Sequence, residues 1–232
     1  MTFDPARRTL LAALAATPLV AATKAAPRLS AKMTETGIGA YLAGNPDARL
    51  RLVQYFSFTC GACGAFAAAG DAPLKAGYID KGLVAFEYRN LVRDPLDMTA
   101  ALLARASGPA GFPGHYRAIM AGQSQWLLGA TKLPETVRQK WFEGSVAERA
   151  ARIARDSGLG ALMRARGLTA VQIEAALNSE VAQAAVTSMT NLARGADRIH
   201  STPGFVLQGK PLDHVHDWAA LKSQLDQALR PA

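Results

Sequence analysis

Residues 50–63 read LRLVQYFSFTCGAC, and this stretch decides the fold. Its first nine residues are rich in β-branched and aromatic side chains, which predicts a buried strand. Two cysteines follow at once, separated by only a glycine and an alanine. Residues 65–76 then supply helix formers, and Pro73 is expected to kink or end that helix. The sequence therefore predicts a strand-to-helix junction that carries a cysteine pair.

A second strand is predicted at residues 83–91, which read LVAFEYRNL. A strand, a helix and a second strand in this order form a β-α-β unit, whose strands run parallel. The chain then changes character, since residues 96–194 are alanine-rich and helix-periodic. The helices predicted there are 96–106, 114–121, 134–142, 146–156, 170–177 and 181–194. We expect a helical subdomain inserted into an α/β framework.

The end of the chain returns to the framework. Thr169 and Gln172 have the spacing of a capping box at a helix start, and Gly195 is a predicted helix stop. A strand is predicted at 204–207, a turn at 208–209 and a helix at 215–229, with core residues Trp218, Leu221, Leu225 and Ala228 at helical spacing. We therefore divide the chain after residue 26 into three parts. Residues 27–45 form a leader with a short N-terminal helix at 38–42. Residues 46–95 and 196–232 form the framework, and residues 96–195 form the insertion.

The first 26 residues have the layout of a signal peptide. Arg7 and Arg8 precede an apolar run at 10–22, and small residues follow up to position 26. The run falls short of the roughly 20 residues of a membrane-spanning helix. Adjacent arginines also fit twin-arginine export. The alternative is a buried N-terminal helix, which would leave the cationic start without a purpose.

Composition and charge exclude some classes of protein. Half of the residues are hydrophobic, which excludes intrinsic disorder and suits one or two domains. The formal charge is +8, and removal of the signal segment leaves +6. These charges are scattered along helical segments, with no block of lysine and arginine of the kind that binds nucleic acid. We expect no nucleic-acid partner.

The two cysteines, Cys60 and Cys63, are the only ones in the chain. A disulfide between them closes almost no loop, so its value lies in reactivity more than in stability. A helix N-terminus stabilises a thiolate, which makes Cys60 the expected nucleophile. Cys63, one turn further, can attack a mixed disulfide formed at Cys60. Gly61 is expected to give the backbone of the turn conformational freedom. The small side chain of Ala62 is expected to leave space around the turn.

Three other uses of the cysteine pair compete with this one. A zinc site needs two more ligands, and the candidates are His115, His200, His214 and His216. His214 and His216 are too close in sequence to lie on one helical face, and a cysteine pair at the end of a strand in an exported protein is an unusual half-site. A haem attachment needs histidine at position 64, where the chain has glycine. A purely structural role is disfavoured, because a disulfide that closes so small a loop adds little stability. We therefore expect no metal and no cofactor.

A second signal lies at residues 201–206, which read STPGFV. A proline just before an apolar strand marks either the strand entry or a cis peptide bond. Pro203 holds that place here. Taken alone this signal is weak, and it gains weight beside a Cys-x-x-Cys strand-helix junction.

Together these residues resemble the DsbA-type disulfide oxidoreductases of the thioredoxin superfamily, especially bacterial periplasmic ones. The resemblance runs from about residue 50 to the C-terminus and is carried by 55–63 (YFSFTCGAC), 86–91 (FEYRNL) with 94–96 (DPL), the helical block and 202–210. It implies a thioredoxin-like fold with an inserted all-helical subdomain. Cys60 would be the exposed attacking cysteine, Cys63 the buried resolving one, and Pro203 a cis-proline facing them. Thr202 would offer its backbone to the substrate.

The chain departs from the family pattern at two positions. Where the family places an acidic residue six positions before the first cysteine, this chain has Gln54, which cannot shuttle a proton. Cys63 would then lose its proton more slowly, or water or another acid such as Glu87 would accept that proton. Strongly oxidising members tend to carry histidine where this chain has Ala62. We therefore hypothesise a less depressed Cys60 pKa and a less oxidising potential.

The resemblance implies an enzyme that introduces or exchanges disulfides in exported proteins. Its partners would be reduced or unfolded exported polypeptides and a membrane redox partner that recycles the cysteine pair. We expect a periplasmic monomer, because the leader is too small to be the dimerisation domain that isomerases of this superfamily carry. Two alternatives stay open: a non-catalytic client-binding or assembly module of the same fold, and a glutathione-dependent transferase or isomerase. The signal segment and the intact Cys-x-x-Cys motif both count against the second. Fold alone does not separate them.

Overall fold

The structure, a computed structural model, describes residues 28–231. The predicted signal peptide at residues 1–26 lies outside the described residues and stays a prediction. Within residues 28–231, no helix combines the length and the apolar character that crossing a membrane requires.

A six-stranded sheet forms the centre of the fold. Its strands are β1 (Met33–Glu35), β2 (Tyr41–Ala43), β3 (Leu50–Phe56), β4 (Val84–Asn90), β5 (Gly204–Leu207) and β6 (Lys210–Pro211), in the spatial order β1-β2-β4-β3-β5-β6. Strands β3 and β4 are parallel, and the other neighbours are antiparallel. Helix α1 (Gly61–Leu74) connects β3 to β4. The predicted β-α-β unit is therefore confirmed.

Strand β3 is buried on both faces apart from the half-exposed Arg51, as its predominantly apolar sequence predicts. Leu52 and Phe56, both without exposed surface, share one cluster with the buried residues of α1. Val53 and Tyr55 point the other way and join Ala193, near the end of helix α9 (Glu180–Arg194). Burying a large apolar side chain contributes about 1.5–3 kcal/mol. The strand that leads into the cysteine pair is thus held from both sides.

Helices fill the chain between β4 and β5. They are α2 (Pro95–Ala104), α3 (Gly108–Ala121), α4 (Gln123–Thr131), α5 (Glu135–Gln139), α6 (Val146–Asp156), α7 (Leu159–Ala165), α8 (Ala170–Leu177) and α9. The capping box is confirmed: the Thr169 hydroxyl accepts from the Gln172 N–H, and the Gln172 side chain accepts from the Thr169 N–H. Helices α4 and α7 were not predicted, because Gly129 and the glycines around position 159 weaken their helical pattern.

The short helix predicted at residues 38–42 is wrong. Gly39 has a positive φ of 75°, which a helix cannot accommodate, and it turns the chain between two strands. The segment that follows forms β2, in which Tyr41 lies opposite Tyr88 of β4. Pairing with a distant strand therefore overrides the local preference of this segment.

The segments after Gly195 follow the prediction closely. The predicted strand at 204–207 is β5, and the last helix, α10, spans Trp218–Ala228. Asp217 caps α10 by accepting from the Ala220 N–H at 2.9 Å. Leu221 and Leu225 of α10 are fully buried. In α1 the α-helical hydrogen bonding ends at Leu74, directly after Pro73, and continues as a π-helical turn.

Candidate active site

The cysteine pair lies at the N-terminus of α1. Strand β3 ends at Phe56, and Cys60 is the N-cap residue of the helix, with extended backbone angles. The Cys60 carbonyl accepts hydrogen bonds from the N–H groups of Cys63 at 3.0 Å and Gly64 at 3.2 Å. Both cysteines are free thiols in this structure. The helix therefore presents its unpaired amide groups to the first sulfur.

The structure brings together the four residues predicted for catalysis and substrate binding. The peptide bond between Thr202 and Pro203 is cis, which confirms that expectation. The Cys60 thiol donates to the Thr202 carbonyl at 3.1 Å. Cys63 has no exposed surface, whereas Cys60 retains 8%. Cys60 is thus less exposed than the resemblance implies, because the cis-proline loop lies against its sulfur.

The two sulfurs have opposite acid–base properties. The pKa of Cys60 is lowered to about 5, first by a hydrogen bond from Cys63, against the effect of burial, and then by the Thr202 side chain and the helix amides. The pKa of Cys63 is raised, because its proton is held in that same hydrogen bond and the residue is buried. Cys60 is therefore a thiolate at neutral pH and Cys63 a thiol.

The two residues between the cysteines are exposed. Gly61 has an ordinary helical φ, and a Cβ built on it would meet nothing within 4 Å. The conformational freedom that we expected Gly61 to supply is therefore not needed. Ala62 is also exposed, and its methyl side chain supplies no charge beside the sulfurs.

Gln54 is completely buried on β3, on the face that packs against α1. Neither its amide nitrogen nor its amide oxygen has a hydrogen-bond partner within residues 28–231. Glu87 lies on β4 beside Val53, on the opposite face, and forms ion pairs with Arg51 and with Arg89 at 2.7 Å. The hypothesis that Glu87 accepts the proton of Cys63 is therefore wrong, since the sheet separates the two groups.

Sequence reasoning missed a buried carboxyl group that contacts the turn leading to the cysteine pair. Asp97, in the first turn of α2, has no exposed surface. Its carboxylate accepts from the Ser57 hydroxyl at 2.6 Å, the Phe58 N–H at 2.8 Å and the Arg93 N–H at 3.2 Å. Asp97 thereby fixes the turn between β3 and Cys60. An acidic residue in a first helical turn is commonplace, so its burial left no signal in the sequence.

Burial also raises the pKa of Asp97 to about 7, against the three hydrogen bonds that favour its charged form. Because its folded pKa exceeds the ordinary 3.8, Asp97 contributes stability at low pH that is lost as the pH rises through 7. We expect the difference in unfolding free energy between wild type and Asp97→Asn to fall between pH 4 and 8, by about 1.4 kcal/mol per pKa unit.

Urea unfolding at fixed pH values measures this slope. Asp47→Asn, the same substitution at an exposed position, is the matched control. A flat or rising difference for Asp97→Asn would show that Asp97 is ionised throughout.

A second contact to the same turn comes from α4, which sequence reasoning also missed. Gln123 is the first residue of α4, and its side-chain amide donates to the carbonyls of Phe58 at 2.7 Å and Cys60 at 2.9 Å. The turn that carries the cysteines is therefore held from one side by Asp97 and from the other by Gln123.

Comparisons with known proteins agree with this geometry. A family model described as thioredoxin matches residues 36–227. A crystal structure of a protein-disulfide isomerase from Novosphingobium aromaticivorans superposes with a TM-score of 0.79 at 36% identity, covering 83% of this chain and 98% of that one. The α-DsbA1 protein of Wolbachia pipientis shares the fold, with a TM-score of 0.57 at 20% identity, covering 81% of this chain and 89% of that one.

Curated sequences give more distant relatives. A protein from Rickettsia prowazekii with the provisional name protein-disulfide oxidoreductase is 27% identical over 168 residues, which is 72% of this chain and 53% of the relative. A protein of the same provisional name from Rickettsia bellii is 24% identical over 188 residues, 80% of this chain and 63% of the relative. The chain thus spans between about half and two thirds of the length of these curated relatives.

Proposed function

Because the chain belongs to the thioredoxin family, we propose that it is a protein-disulfide oxidoreductase whose redox pair is Cys60 and Cys63. The observation that carries this proposal is the contrast between a thiolate at a helix N-terminus and a buried thiol one turn further in the same helix. Such an arrangement favours attack by the first sulfur and release by the second.

The reaction exchanges one disulfide for another. The Cys60 thiolate attacks one sulfur of a substrate disulfide, which forms a mixed disulfide and releases the other substrate sulfur as a thiolate. Cys63 then loses its proton and attacks the Cys60 sulfur, so the substrate leaves with both thiols reduced and the pair becomes a disulfide. Run in reverse, the same steps transfer a disulfide to a reduced substrate. Which direction operates depends on the redox partner.

The substrate would bind as an extended segment along the cis-proline loop. Thr202 supplies the backbone groups there, and backbone pairing of this kind recognises extended chains with little regard to sequence. The signal-like pattern at residues 1–26 supports exported polypeptides as substrates, the periplasm as location and a membrane protein as the recycling partner. The protein would act as a monomer.

The redox equilibrium with glutathione, followed by oxidation of a reduced, unfolded test protein, tests this function. We expect a potential less oxidising than that of the strongest family members, and a Cys60 pKa no lower than about 4 when thiolate absorbance is titrated. A pKa below that value would contradict the effect assigned to Ala62. Exchange with neither glutathione nor protein would reject the enzyme and favour the client-binding module.

A further inference from the structure

The amide of Gln123 sits against the backbone of the active-site turn. Only 7% of the residue is exposed, and both carbonyls to which it donates belong to the turn. The Cys60 carbonyl already accepts two hydrogen bonds from the first turn of α1. Its third donor therefore comes from the helical insertion, 63 residues away along the chain.

The packing around this amide is tight. A Cβ built on Gly64 of α1 would lie 2.3 Å from the Gln123 side-chain oxygen, a distance that real Cβ atoms do not reach. The close approach of the Gln123 side chain, rather than backbone freedom, is therefore what favours glycine at position 64. Any larger residue at position 64 would displace the amide from the two carbonyls.

We propose that Gln123 is a positioning residue, through which the helical insertion holds the turn and sets the reactivity of Cys60. This inference rests on the proposed function. The two N–H groups of the amide place partial positive charge on the backbone beside the Cys60 thiolate. Removing them leaves the buried Phe58 carbonyl without this donor and takes away part of the field that favours the charged sulfur.

The first test compares Gln123→Ala with the wild type by thiolate absorbance and by glutathione equilibrium. We expect the Cys60 pKa to rise by about one unit and the equilibrium to shift up to about tenfold toward the disulfide, because the reduced form loses stabilisation of its thiolate. The matched control is Gln125→Ala, the same change at an exposed position of the same helix, which should alter neither quantity.

A double-mutant cycle with Gly64→Ala tests the contact itself. Gly64→Ala alone should shift the pKa in the same direction, since its new methyl group displaces the amide. In Gly64→Ala/Gln123→Ala the methyl group has room, so the shift should equal that of Gln123→Ala alone rather than the sum. Additive shifts would show that the two residues act separately and would overturn the proposal.

A further variant keeps the proposal testable if the alanine variants fold poorly. Gln123→Glu keeps the size of the side chain, cannot donate when ionised and adds a negative charge, so the Cys60 pKa should rise by more than in Gln123→Ala. Unchanged pKa and equilibrium in these variants, with only lower stability, would reduce Gln123 to a structural role. Absence of exchange in the wild type would instead reject the proposed function, so the two failures are distinguishable.

Discussion

Replacing Cys60 by serine is expected to reduce thiol–disulfide exchange to the rate seen without protein. A serine hydroxyl neither ionises near neutral pH nor forms a disulfide, so both the nucleophile and the covalent intermediate disappear. The neighbouring Cys63 cannot take over, because it is fully buried and its pKa is raised. The measurement is the rate at which a reduced peptide is oxidised. The oxidised wild type should oxidise the peptide, and the variant should not.

The comparison needs evidence that the variant is folded. Serine is close to cysteine in shape, and its hydroxyl can donate to the Thr202 carbonyl in place of the thiol. Circular dichroism and the urea midpoint should therefore match those of the reduced wild type at low pH, where its thiol is also neutral. Retained exchange in this folded variant would mean that the chemistry lies elsewhere.

Replacing Cys63 by alanine is expected to stop the reaction at the mixed disulfide between Cys60 and the substrate. Cys60 can still attack a substrate disulfide, but no second thiol is left to release the mixed disulfide. Turnover should stop after one event, and a covalent adduct should accumulate to nearly one equivalent. Intact-mass measurement under non-reducing conditions detects that adduct, and a reducing agent should remove it.

The same substitution changes the first sulfur. The hydrogen bond from Cys63 is the largest cause of the low Cys60 pKa, so its loss should raise that pKa toward the ordinary value of 9.0. The adduct should then form with a pH dependence displaced to higher pH. Cys60→Ser is the matched control and should form no adduct at any pH. An adduct in Cys60→Ser but not in Cys63→Ala would reverse the assigned roles.

Local signals allowed much of the fold to be predicted from sequence. The apolar run of β3, the cysteines at its end and the capping box at Thr169 each depend on neighbours within a few residues. The cis form of Pro203 followed only from the family resemblance, since a proline before a strand fits either isomer. The short helix predicted at 38–42 was wrong because a distant strand, β4, decides the conformation of that segment.

The residues that hold the active-site turn could not be predicted in this way. Asp97 bonds to Ser57 across 40 positions, and Gln123 bonds to Phe58 across 65. Neither residue belongs to a motif, and each type is common at a helix start. Their roles become visible only when α2 and α4 pack against the end of β3. Long-range packing, rather than local pattern, therefore determines how the reactive pair is supported.

The hydrogen bond between the Cys60 thiol and the Thr202 carbonyl also relates proton loss to binding. A thiol can donate that bond, but a thiolate has no proton to give, so ionisation leaves the carbonyl oxygen vacant as an acceptor. That oxygen lies on the loop where an extended peptide would need a partner for its own N–H. In the proposed binding mode, the loss of one proton therefore makes the sulfur nucleophilic and at the same time frees the neighbouring carbonyl for the substrate.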